Sequence, residues 1–213
     1  FQTPLLQIVR RSMQFYQTFY RLFLPVLPAT ICPPAKFHYL YTNPTQPMKI
    51  EKSTLPADSI LAQYRDVNYS DCFHTCLPEP ITASPDDLMG AFWTTKPGWL
   101  RLLFKIRDLL VRPFGLKTGD DGDSEELKST IRSGGSYRFM SVVGKTPHET
   151  VIALDDKHLK AWFSVHIEDR CISLSTLVRY HNKLGVAYFT LIRPFHNIVV
   201  KSLFRQVMRA QGY

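Results

Sequence analysis

The chain has 213 residues, is 45% hydrophobic and carries a formal net charge of +8. That is enough apolar material for one full core, and no apolar run reaches the roughly 18 residues that a membrane-crossing helix needs. The charge is also dispersed. Residues 1–47 hold Arg10, Arg11, Arg21 and Lys36 and no acid, which is +4, and the other +4 is spread over the remaining 166 residues. That distribution argues against a nucleic-acid partner, and the Lys201, Arg205 and Arg209 stripe reads as a solvated helix face.

Composition breaks near residue 47. Before it lies a basic, Pro-rich extension without a carboxylate, and Met48-Lys49-Ile50-Glu51-Lys52 looks like the start of an ordinary domain. The pattern divides the chain into 1–47, a dispensable or non-native extension, and 48–213, a single domain. Residues 5–24 can form a basic amphipathic helix through Leu5, Ile8, Phe15, Phe19 and Leu22, which would suit a membrane surface or a targeting remnant.

A strand is expected over Tyr69–Leu77. Ser84 as N-cap, Pro85 at the first helical position and Asp86 and Asp87 in the first turn then open a helix to about Thr95. Lys96-Pro97-Gly98 interrupts it. A second helix follows, with Trp99, Leu102, Leu103, Ile106, Leu109 and Leu110 on one stripe. Residues 117–135 read as a polar, solvated loop. Asp120, Asp121, Asp123, Glu125 and Glu126 lack the glycine and terminal glutamate that an EF-hand calcium loop needs.

The period then changes to two. Tyr137 to Val143, Glu149 to Asp155, Leu159 to Ile167 and Ile172 to His181 read as an antiparallel meander with one apolar face. In the third of these runs Leu159, Ala161, Phe163, Val165 and Ile167 oppose His158, Lys160, Trp162, Ser164 and His166. One long helix is expected from about Lys183 to Arg209, capped by Asn182 and bent at Pro194. A strand to Ile192 followed by a helix from Pro194 is the alternative.

The cysteines, Cys32, Cys72, Cys76 and Cys171, show no zinc spacing and no disulfide framework, which fits a reducing compartment. Cys72, His74 and Cys76 share one face of a strand, where core or surface positions are a better reading than a metal site. No phosphate-binding glycine loop, dinucleotide fingerprint or nucleophile elbow is present, so neither a cofactor nor a metal is expected.

Several motifs together resemble an uncharacterised bacterial family, domain of unknown function 2867. They are Pro97-x-Trp99 with Leu102, Leu103 and Arg107; Pro113-Phe114-Gly115-Leu116; Asp155-Asp156-Lys157-His158-Leu159; and Thr176 to Arg179 with His181-Asn182. Leu184-Gly185-x-x-Tyr188 and Pro194-Phe195-His196-x-Ile198-Val199 complete the set. The resemblance covers about residues 55–210. Where the family often carries a basic residue after the glycine of the Leu-Gly motif, this chain has Val186. The resemblance implies an α+β helix-grip fold of the START-like, polyketide-cyclase-like superfamily. In that fold a curved antiparallel sheet wraps around a long C-terminal helix, with two short helices after the first strand.

Such an architecture implies a cavity between sheet and helix for a small hydrophobic molecule. The expected lining residues are Arg179, His181, Tyr188, His196, Trp162 and Trp99. A cyclase-, hydratase- or hydrolase-like enzyme is the alternative, with His158, Asp156 and His196 as catalytic candidates. A peripheral membrane or interaction module held by residues 5–24 is the third reading. The residues also allow a structural role, in which His158 pairs with Asp155 or Asp156 to close a strand turn while Asn182 caps the last helix. Arg179 serves an anionic group if it faces the cavity and is an ordinary solvated arginine if it faces outward. The expected location is cytoplasmic, and nothing in the pattern specifies an oligomeric state.

Overall fold

The computed structural model describes residues 48–111 and 123–213. The extension 1–47, its helix over 5–24 and the stretch 112–122 lie outside the described residues. The strands are β1 (Glu51–Lys52), β2 (Tyr69–Cys76), β3 (Ser136–Tyr137), β4 (Met140–Lys145), β5 (Glu149–Asp155), β6 (Leu159–Glu168) and β7 (Cys171–Tyr180). The helices are α1 (Pro85–Thr94), α2 (Gly98–Val111), α3 (Ser124–Ser133) and α4 (Lys183–Ala210). All seven strands form one curved antiparallel sheet in the order β1-β2-β7-β6-β5-β4-β3. A short two-residue strand thus precedes the strand expected to be first, and α1 and α2 follow β2.

The alternation of the meander turns into two faces. Phe73, Ile152, Val165, Ile172 and Leu174 point to the front, where Leu88 and Met89 of α1, Ile131 of α3 and Phe204, Val207 and Met208 of α4 complete the main core. The expectation of one apolar face needs correction. Val151, Ala153, Trp162 and Leu177 on the back are buried too, beneath Leu55, Leu61, Tyr64 and Val67 of the segment that leads into β2. A central sheet covered on both sides needs near-continuous apolar runs. Small polar residues such as Ser164 and Ser175 interrupt those runs, and both are fully buried.

Helix α1 begins as its caps dictate. Ser84 Oγ accepts from Asp87 N at 3.2 Å, and Asp86 ties the first turn to the sheet through Thr150 Oγ1 (2.6 Å) and Lys145 Nζ (2.6 Å). In the first turns of α2, Leu100 is buried and Leu102, expected on the apolar stripe, is exposed. The polar stretch expected to be a loop contains α3. Asp123 caps its start, accepting from Glu125 N at 2.8 Å, and Gly134 closes its end in the left-handed region at φ 77°. Lys145 Nζ donates to the carbonyls of Ile131 and Arg132 in the last turn, where a cation complements the helix dipole. The helix is held by both ends and by Leu127 and Ile131, one turn apart on its inward face, in an otherwise polar stretch.

A second correction concerns the cysteines. Cys76 and Cys171, directly opposed on β2 and β7, form a disulfide. The pairing was invisible in the sequence because 95 residues separate the two thiols. It is at odds with the reducing compartment that the scattered spacing suggested. Cys72, on the same strand, is buried and free.

Helix α4 is continuous from Lys183 to Ala210 with Pro194 inside it, so the strand alternative for 186–192 does not hold. At about 1.5 Å per residue it spans roughly 42 Å and crosses the front of the sheet. Phe189 packs on Tyr69 near one end of the sheet, and Phe204 and Met208 pack near the other. No described helix is long and apolar enough to cross a membrane.

Candidate functional site

Three polar clusters occupy this frame. The first is the corner where the β5–β6 turn meets the start of α4. Asn182 Oδ1 accepts from Gly185 N (3.1 Å) as N-cap, while its Nδ2 donates to the Lys157 carbonyl (2.9 Å). His181 N donates to the His158 carbonyl (2.9 Å), and His181 Nε2 lies 2.9 Å from Asp155 Oδ1. His158 is buried edge-on against Tyr188, its Nδ1 3.4 Å from Asp156 Oδ2 without hydrogen-bond alignment. Burial pushes the His158 imidazole below its ordinary value, with Asp156 acting weakly against that. Burial opposes ionisation of Asp155, yet the hydrogen bonds from His181 and Lys160 outweigh it and hold the carboxyl below its usual range. Most of the polar residues in the family-like motifs are therefore spent on joining a hairpin to a helix.

The second cluster lies on the back. Glu149 is 1% exposed, and both of its oxygens accept. Ser59 Oγ donates to Oε1 at 2.6 Å, Ile60 N donates to Oε2 at 2.6 Å, and Ser164 Oγ also donates to Oε1. Next to it, His166 Nε2 sits 3.2 Å from Asp58 Oδ2. This group fastens the short 3-10 helix Ile60–Gln63 to the sheet. It is complete without a ligand.

The third cluster is not complete. Asp71 on β2 points to the front, with none of its side chain exposed. Tyr69 Oη donates to Asp71 Oδ2 at 2.6 Å and lies 3.3 Å from Asn197 Oδ1. From α4, His196 Nε2 comes within 3.2 Å of the same Oδ2, at ion-pair distance but without hydrogen-bond alignment. Asp71 Oδ1 and His196 Nε2 are both buried without a hydrogen-bond partner. Burial, then the hydrogen bond and the charge of Asp71, push the Tyr69 phenol well above its ordinary value, while Arg193, 5.1 Å from the ring centroid, acts weakly against them.

Register explains what lies beside this cluster. Asp71 pairs with Thr176, Thr176 with Phe163, and Phe163 with Ile152, so one transverse row of the front face runs from polar to apolar. Phe163 and Leu154, although on inner strands, are only half-buried, as are Trp93 of α1 and Ile192 of α4. These four residues pack against the edges of the core clusters, so a buried acid stands at one end of the row and half-buried aromatic surface near the other.

Of the residues expected to form the site, only His196 belongs to this cluster. Arg179 is exposed on the back, 5.6 Å from the Trp162 ring, and Trp162 is buried on the back against Tyr64. Expecting them to line the space under α4 was wrong, because strand parity turns both away from it. His181 sits at the surface paired with Asp155; Tyr188 covers His158; Trp99 is half-buried in the first turn of α2. His158 and Asp156 meet, but at the helix–hairpin corner and not beside His196.

Asp71, Tyr69 and Asn197 were missed. A signal for the first did exist, since Asp71 shares strand parity with Tyr69 and Phe73 and so had to be inward-facing. Among the described residues no group of three or more His, Cys, Asp or Glu side chains could hold a metal ion. No curated protein and no solved structure matches the chain. Residues 63–203, which contain β2, all three clusters apart from Asp58, Ser59 and Ile60, and most of α4, match the model of the family described as protein of unknown function (DUF2867), and the chain belongs to that family.

Proposed function

We propose that this protein binds a small, mostly apolar molecule between the front of the sheet and α4, with the molecule's polar group at Asp71 and His196. The fold we infer is the helix grip of the START-like superfamily, in which such a space is the natural ligand site. One observation carries the reading: Asp71 is fully buried and one of its oxygens has no partner. A buried polar atom left unpaired costs about 1–3 kcal/mol, so a chain that keeps one there gains from a group that fills it. The half-buried Phe163, Leu154, Trp93 and Ile192 supply the apolar remainder.

Native mass spectrometry of the gently purified full chain tests this. A reproducible added mass that is lost in Asp71→Ala and retained in Arg179→Ala is expected. An unliganded mass together with failure to take up any apolar probe sinks the reading.

A second reading, an acid–base enzyme of cyclase, hydratase or hydrolase type, is favoured by the 3.2 Å approach of His196 to Asp71. A carboxyl beside an imidazole orients it for proton transfer. Here the acid is Asp71 and not Asp156. Turnover of a bound molecule that stops in His196→Gln while binding persists would favour it over simple carriage.

A further inference from the structure

We propose, resting on the binding reading above, that the site selects a neutral alcohol: an apolar molecule whose hydroxyl bridges His196 and Asp71. Two atoms of this pair are buried without a hydrogen-bond partner. Asp71 Oδ2 is taken by the Tyr69 hydroxyl at 2.6 Å and is approached by His196 Nε2 at 3.2 Å, while Asp71 Oδ1 and His196 Nε2 lack partners. Oδ1 of a carboxylate accepts, and an imidazole N–H donates. The missing group must therefore accept one hydrogen bond and donate another from the same small volume.

The side-chain chemistry of ligands narrows this sharply. A hydroxyl does both. A carbonyl, an ether or a carboxylate only accepts and leaves Oδ1 unpaired. An ammonium only donates and leaves His196 Nε2 unpaired. An anionic ligand would place a second acid against Asp71 in a region without water to screen it. Arg193, the cation nearest Tyr69, is exposed and lies over the Tyr69 ring. Lys201, also on α4, lies 5.2 Å from the Phe73 ring centroid, and neither cation bonds Asp71 Oδ1.

The shape of the molecule follows from the sheet. Moving along the row from Asp71 through Thr176 to Phe163 and Ile152, the surface passes from polar to apolar. Leu154 lies one step further along the same face of β5, and Trp93 stands edge-on to Phe163 with ring centroids 5.2 Å apart. A hydroxyl at one end and a hydrocarbon body at the other match that order. An alcohol with several hydroxyls would bury unpaired groups against Phe163.

Four probes with one alkyl chain separate the possibilities: 1-decanol, its methyl ether, decanoate and decylammonium. Each is titrated into the full chain at pH 7 and followed by tryptophan fluorescence and native mass spectrometry. We expect 1-decanol to bind about tenfold more tightly than the ether, the value of one well-made hydrogen bond, with the two charged probes weaker still. Asp71→Ala and His196→Ala should each bring the alcohol down to the level of the ether. Asp71→Asn keeps the side-chain shape and serves if the alanine variant does not fold.

Equal binding of alcohol and ether, or tighter binding of either charged probe, overturns the alcohol assignment and leaves the binding reading standing. The same holds if the alcohol preference survives in both variants. If none of the four binds, the two orphaned atoms are bridged by a water molecule only, and both readings fall.

Discussion

Gly185 sits against the backbone carbonyl of His158. A Cβ built on it would stand 3.0 Å from the carbonyl carbon and closer still to the oxygen. The neighbour is main chain and cannot swing aside, unlike the flexible Ile60 side chain that a Cβ at Gly144 would meet. Gly185→Ala should therefore push α4 off the β5–β6 turn and cost about 2–4 kcal/mol. Gly98, with nothing near its Cβ position, is the control: Gly98→Ala should be neutral or stabilising by about 0.5–1 kcal/mol. Urea midpoints of the two variants check both statements. An unaffected Gly185→Ala midpoint would mean that the corner is looser than described.

The Cys76–Cys171 bond closes a loop with a sequence separation of 95. A cross-link of that span restricts the unfolded chain and typically contributes about 2–4 kcal/mol. Reduction, or Cys76→Ser with Cys171→Ser, should lower the melting temperature by roughly 10 °C. Thiol alkylation of protein trapped directly from cells supplies the companion measurement. Cys76 and Cys171 labelling before reduction would show that the bond does not form there.

Removing Glu149 should be among the most damaging single changes on the back face. Glu149→Ala leaves Ser59, Ile60 N and Ser164 without their acceptor and opens a cavity, for a cost of about 3–5 kcal/mol. The loss should be local first. Limited proteolysis is expected to cut near residues 55–67 in this variant while β4 to β7 stay protected.

Protonation at the corner gives an acid sensitivity of definite sign. His158 is held below its ordinary value of 6.5 by burial, so near and below pH 6.5 the unfolded chain takes a proton that the folded chain resists. Stability is then fully present above that pH and falls as pH drops toward the lower folded value. His158→Gln, which does not titrate, should show a flatter dependence than the parent between pH 7.5 and 5.5. Parallel curves, measured as urea midpoints, would assign the acid sensitivity to other groups.

Legibility in the sequence followed the reach of the forces involved. Local signals read well: the Ser84-Pro85 cap, the period-two runs from Met140 to Tyr180, and Asn182 opening a long helix that carries Pro194 within it. Helix α3 escaped because only Leu127 and Ile131 mark its inward face and the rest of the stretch is polar. The site read poorly for a different reason. His158, Asp156 and His181 stand together in sequence and attract attention, yet their partners are mostly one another and nearby backbone. Asp71 meets His196 across 125 positions of chain, and Ser59 meets Glu149 across 90. Only strand parity hinted at the first pair, and nothing local hinted at the second.

The strand order also sets a schedule. β2 has β7 as its one long neighbour, so when β2 leaves the ribosome its main partner is still unmade. With Cys171 placed 95 positions after Cys76 and synthesis at about 5–20 residues per second, β2 waits roughly 5–20 s. During that time its inward row of Tyr69, Asp71 and Phe73 has neither β7 nor α4 to cover it. Arrival of β7 joins the strand to the sheet, and α4, made after β7, seals Asp71 beneath His196. The Asp71 cluster is therefore completed only after the whole sheet has been made, and a nascent chain stalled before residue 196 carries the acid without His196 above it.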